Sequence, residues 1–209
     1  MHIGLDFDNT IAGYEELIRC FAAEKGWIEA SKPGGKQSLR DGIRQLPGGE
    51  QKWMTLQAEI YGPRMGEAEL IDGVAHFLRE CQNKNEKVSI ISHKTTYAAA
   101  APDGVDLRKA ALAWMEGQAF FTDRGFGLNP DNVHFADTRG EKCQMIGALG
   151  CDLFIDDLRE VFADLGFPKN VKKILFETEP GLPAGPEMQV CCSWSEIQDS
   201  VFGGGSLSG

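Results

Sequence analysis

Two acidic clusters, one hydroxyl and one ammonium are the groups in this chain best suited to chemistry. Asp6-Phe7-Asp8-Asn9-Thr10 closes the apolar run at residues 2–7, and Asp156-Asp157 closes another at 153–155. Ser92 ends a third run, 88–91, and Lys142 follows a fourth, near 133–135. Residues two apart on a strand share a face, so Asp6 and Asp8 are expected to point the same way. Carboxylates crowded together repel and raise one another's pKa values unless a cation sits among them. Hard oxygen ligands with room for water suit Mg²⁺. A hydroxyl and a Lys that do not reach the metal are suited to hold the oxygens of a phosphate.

For these groups to meet, the runs that carry them must lie side by side. Segments with helical spacing separate them: Tyr14, Leu17, Ile18 and Phe21; Leu70, Val74, Phe77, Leu78 and Cys81; Leu107, Ala110, Ala111 and Trp114; Met145, Ile146 and Leu149; Val161, Phe162 and Leu165. A further strand is expected near 174–176, and Ser193 with Glu196 fits a capping box for a last helix carrying Ile197 and Val201. Continuous apolar strands alternating with helices indicate an α/β fold, a Rossmann-like parallel sheet with helices on both faces. Ligands of such sheets bind beyond the carboxyl ends of the strands, which is where the acids fall.

The stretch 27–66 has a different texture. Two breaks, Pro33-Gly34-Gly35 and Pro47-Gly48-Gly49, divide it, and Lys32, Lys36, Arg40, Arg44, Lys52 and Arg64 are scattered through it. Short helices inserted after the first strand are expected here, forming a lid. Its basic residues either recognise an anionic substrate or, with Glu50, Glu59, Glu67 and Glu69, make a mixed solvated surface. The expected division is a catalytic core over 1–13 and 67–202, a small helical cap over 14–66, and a flexible Gly/Ser tail over 203–209.

Taken in chain order, these motifs resemble the haloacid-dehalogenase (HAD) superfamily. LDFDNT is similar to its first motif, DxDxT after an apolar strand; Ile90-Ile91-Ser92 to the second; Lys142 to the third; Ile155-Asp156-Asp157 to the acidic fourth. Asn9 stands where Gly is common, and Asn tolerates positive φ. The resemblance implies that Asp6 is the nucleophile and Asp8 the general acid and base. It implies Mg²⁺ held by Asp6, the backbone carbonyl of Asp8, and Asp156 or Asp157. Ser92, Lys142 and the loop after Asp8, including Asn9 and Thr10, would bind phosphate. His93 and Lys94, next to Ser92, either touch substrate as well or belong to a solvated loop. The implied activity is hydrolysis of a small phosphorylated metabolite, with phosphotransfer or a phospho-accepting switch as rivals on the same residues. A dehalogenase is disfavoured by Asp8, since halide departure needs no general acid.

Composition sets the outer limits. A chain of 209 residues with 42% hydrophobic and 25% charged residues suits a globular enzyme. A net charge of -10 argues against nucleic-acid binding, which needs clustered Lys and Arg. No run approaches the length of a membrane span or resembles an export signal. Cys20, Cys81, Cys143, Cys151, Cys191 and Cys192 lack paired spacing and are expected to be reduced core thiols of a cytoplasmic protein. The tryptophans, Trp27, Trp53, Trp114 and Trp194, are expected to serve packing.

Overall fold

A computed structural model of the chain describes residues 1–29, 31, 35–101, 103–178, 185 and 187–203. In chain order the elements are β1 (His2–Leu5), β2 (Ala12–Gly13), α1 (Glu15–Glu24), α2 (Lys36–Arg44), α3 (Gly49–Ile60), β3 (Glu69–Leu70), α4 (Val74–Asn83), β4 (Lys87–His93), α5 (Leu107–Gly117), β5 (Val133–Ala136), α6 (Arg139–Ala148), β6 (Leu153–Asp156), α7 (Arg159–Phe162), β7 (Lys172–Phe176), β8 (Met188–Cys191) and α8 (Trp194–Phe202). Six strands form one parallel sheet in the order β5-β4-β1-β6-β7-β8.

Alternation along the strands decides which helix meets which face. Ile3, Leu5, Val88, Ile90, Leu153, Ile155, Ile174 and Phe176 pack with apolar residues of α4, α5 and α8. Ile91, Phe154 and Leu175 turn to the other face, against Cys143 and Ile146 of α6 and Val161 and Phe162 of α7. Gly4 shares that second face, where an added Cβ would lie 2.5 Å from the Phe154 ring, so a side chain there would have to displace that ring. The register sets Leu5 beside both Ile90 and Ile155, so β1 and β6 end almost level while β4 continues through Ser92 to His93.

Between β1 and β4 the chain makes a detour. Short β2 and β3 pair antiparallel, Ala12 with Leu70 and Gly13 with Glu69, and the three helices α1, α2 and α3 lie between them in sequence. Gly48, at φ 67, caps the start of α3, a left-handed conformation that explains the Pro47-Gly48-Gly49 break. The earlier break is described only from Gly35 onward; Lys32, Pro33 and Gly34 lie outside the described residues, as does the tail beyond Gly203.

Four expectations need correction. β1 ends at Leu5, not Phe7, because the chain turns: the Ile11 and Ala12 N–H groups both return to the Phe7 carbonyl. α7 stops at Phe162, and Leu165, placed by spacing on its apolar face, is fully exposed. Cys20 and Cys192 are exposed, so only four of the six thiols are buried. β8 was not foreseen; it is a short edge strand following residues rich in Pro and Gly, whose composition reads as loop. The capping box of α8 forms, with Ser193 Oγ accepting from the Glu196 N–H at 3.2 Å and the Glu196 carboxylate accepting from the Cys192 N–H at 2.7 Å.

Candidate active site

Asp6 follows Leu5 and therefore shares the face of Gly4, the face covered by α6. Asp156, the last residue of β6, shares it with Phe154 for the same reason. Lys142 projects from the first turns of α6 between them, its Nζ 2.5 Å from Asp6 Oδ1 and 2.6 Å from Asp156 Oδ2. Its helix is held at the start by Thr138, whose Oγ accepts from the Glu141 N–H. Asp157 completes the group: carboxylate oxygens of Asp6, Asp156 and Asp157 all lie within 4.8 Å of one another.

Burial dominates the electrostatics here. It pushes the Asp6 carboxyl up to about 7, with Lys142 pulling down and Asp156 and Asp8 pushing further up. Burial also raises Asp157, to about 6, against the pull of Lys36, and raises Asp156 against the pull of Lys142. For Lys142 burial opposes the charged form, but Asp6 and Asp156 together outweigh it and hold the ammonium above its ordinary value. Three carboxylates thus meet one buried ammonium, Lys142, and one partly exposed one, Lys36, and the negative charge left over fits a hard cation.

Asp8 has other partners, although it stands two residues from Asp6. Because the strand has ended, its carboxylate is directed to Tyr14, whose hydroxyl donates to Oδ1 at 2.6 Å, and to Lys94, whose Nζ lies 3.0 Å from each oxygen. Asp8 and Asp6 thus have different partners, and the Asp8 side chain lies outside the three-carboxylate cluster. Lys94 is only 4% exposed, so the solvated-loop alternative does not describe it.

The remaining residues singled out in the sequence fall as follows. Ser92 is buried at the end of β4, and its hydroxyl has no hydrogen-bond partner among the described residues. Thr10 is buried with its hydroxyl 3.4 Å from Asp6 Oδ2, and its carbonyl accepts from the Trp194 indole. Asn9 adopts φ 62, as its type allows, but its N–H donates to the Ala12 carbonyl at 2.8 Å. That backbone donor is therefore committed within the loop, a correction to its expected role toward phosphate. His93 is exposed, its Nε2 3.1 Å from the Asp137 carbonyl oxygen.

A cavity of about 580 Å³ opens beside this group, in the size range of small-molecule sites. Asn9 and Asp157 join it to the acids; Tyr14, Lys36 and Arg40 face it from the inserted segment. Lys36 reaches Asp157 at 3.3 Å. Arg44 pairs with Glu50, and Arg64 with Glu24 and Glu67, so the basic residues divide: two line the cavity and these two form the mixed surface. Sequence reasoning assigned no role to Tyr14 or Tyr61. The available signal was their position, one at the start of the insertion and one at the end of α3.

No family model and no curated protein matches this sequence. Solved structures do match its fold. They include a HAD-superfamily hydrolase from Ehrlichia chaffeensis (TM-score 0.56, 12% identity, 96% of this chain and 95% of that one). They also include a HAD family hydrolase from Deinococcus radiodurans R1 with bound phosphate and sodium (0.52, 14%, 96% and 94%). Protein Tyrosine Kinase A from Mycobacterium tuberculosis matches as well (0.59, 11%, 96% and 97%). The chain has the haloacid-dehalogenase fold, an α/β Rossmann-like sheet with helices on both faces.

Proposed function

We propose that the protein is a Mg²⁺-dependent phosphatase acting on a small phosphorylated metabolite of the cytoplasm through an aspartyl-phosphate. The observation that carries the reading is the separation of two aspartates at one strand end. Asp6 lies with Lys142 and two further carboxylates, and Asp8 lies with Lys94 and Tyr14. Asp6, the backbone carbonyl of Asp8, and Asp156 or Asp157 would hold Mg²⁺, which when bound offsets the negative charge of carboxylates and phosphoryl group together.

The side chains then divide the reaction. An Asp6 oxygen attacks phosphorus, the bond from phosphorus to the leaving oxygen breaks, and Asp8 gives that oxygen its proton. Asp8 next takes a proton from water, whose oxygen attacks phosphorus; the bond to Asp6 breaks and inorganic phosphate leaves. Ser92, with an uncommitted hydroxyl, together with Lys142 and Thr10, would hold the non-bridging oxygens. The inserted helices α1–α3 act as a cap over the cavity, with Lys36 and Arg40 on its inner side. No helix among the described residues is long and apolar enough to cross a membrane.

The test is Mg²⁺-dependent phosphate release across a panel of small phosphomonoesters, with Asp6→Asn beside the wild type. Release by the wild type alone supports the reading. Release from none, with phosphoryl transfer to an added alcohol, would reassign the same aspartates to a phosphotransferase.

A further inference from the structure

Lys94 is a buried ammonium that the phosphate-binding set above leaves unused. A lysine is seldom buried unless its charge is paired. Here the pairing is complete: Nζ lies 3.0 Å from both oxygens of Asp8, 4.8 Å from the ring centre of Tyr61 and 5.7 Å from that of Phe7. The backbone around it is fixed from two sides. Its N–H donates to the Ala136 carbonyl at 3.0 Å, and its own carbonyl accepts from Arg108 Nε at 2.8 Å. Tyr14 adds a second donor to Asp8 Oδ1, and the Tyr14 and Tyr61 rings meet edge to face at 4.8 Å.

We infer that Lys94, with Tyr14, is a positioning residue for the proton-transfer group Asp8, a role that rests on the phosphatase reading. Tyr14 and Lys94 both engage Oδ1, whereas among the described residues Oδ2 is engaged by Lys94 alone, so Oδ2 keeps the freer lone pair. Oδ2 is the oxygen that carries the proton to the leaving group, and the two donors hold the carboxylate in the orientation that delivers it. Tyr14 begins the inserted segment and bonds this carboxylate, while Tyr61, just after α3, packs on Tyr14 and Lys94, so the insertion supports both donors to Asp8. An error in their placement would therefore be felt at proton transfer before it was felt at nucleophilic attack.

A positioning role for proton delivery has a signature that a purely structural role lacks. An alkyl alkoxide leaves poorly without a proton, whereas p-nitrophenolate leaves without one. Lys94→Met is expected to lower kcat/KM about 10²-fold for an alkyl phosphomonoester and no more than about threefold for p-nitrophenyl phosphate. Tyr14→Phe keeps the ring against Tyr61 and should show the same selectivity at smaller size; it decides the question if Lys94→Met does not fold. Equal losses on both esters, or none on either, would overturn the assignment while the active wild type left the phosphatase reading standing. A wild type that releases no phosphate from any ester removes both.

Discussion

Asp6 and Asp8 are separated by one residue, yet they sit in two different kinds of environment. Asp6 belongs to the sheet: its direction is set by strand alternation, and its partners Lys142 and Asp156 come from α6 and β6 on the same face. Asp8 belongs to the turn after the sheet, and its partners come from the segment following β4 and from the insertion. The first environment concentrates negative charge in a buried space. The second surrounds one carboxylate with an ammonium, a phenol and aromatic faces. The difference teaches how a single tight turn can place two carboxyl groups in distinct electrostatic environments, and neighbours set what a carboxyl does.

The sharpest way to break this comparison is to remove each carboxylate in turn. Asp6→Asn should abolish turnover of every ester while leaving the far-ultraviolet circular dichroism unchanged. Asp8→Asn should slow turnover by about 10²–10⁴-fold, the usual worth of acid–base catalysis. If the two substitutions had equal effects on all leaving groups, the two sites would not be doing different work.

The Asp6 environment was legible in the sequence, and the Asp8 environment largely was not. Asp6, Asp156 and Ser92 each stand at or just past the end of an apolar strand and Lys142 in the helix after another, and parallel strands in register bring such ends together. Pattern alone thus located the acidic cluster and the fold. The grip on Asp8 depends on where β1 stops and on how far the insertion folds back. Lys94, Tyr14 and Tyr61 are distant in sequence and have no shared period to betray them. β8 escaped for a related reason, being a short edge strand preceded in sequence by residues of loop-like composition.

Cation dependence separates the two environments next. Chelation should stop turnover and Mg²⁺ restore it, because the surplus carboxylates lie around Asp6. The same cluster fixes the sign of a pH effect. Its folded-state carboxyls at Asp6, about 7, and Asp157, about 6, keep protons that the unfolded chain releases near the ordinary carboxyl value of 3.8. The folded state therefore binds more protons between those limits, and the cluster's contribution to stability falls as pH rises from about 4 to about 7. Thermal melts of the metal-free protein should show that decline, and Mg²⁺ should raise the midpoint at pH 7.5 more than at pH 5. An equal rise at both would contradict the assignment of these acids to the cation.

The smallest expected effect concerns Lys36, the partly exposed partner of Asp157. Lys36→Ala removes a competing positive charge and should tighten Mg²⁺ binding about two- to fivefold, as expected for a partly screened pair. Titration calorimetry would read it, and weaker binding would show that Lys36 supports the cluster instead of competing for it.

The most direct test of the central claim is the mass of acid-quenched Asp8→Asn after exposure to p-nitrophenyl phosphate and Mg²⁺. With a leaving group that needs no proton and no base to activate water, one phosphoryl group should accumulate on the peptide containing Asp6 and be absent from Asp6→Asn. Turnover without that adduct, or an adduct on any other residue, would contradict the assignment of Asp6 as the group that takes the phosphoryl.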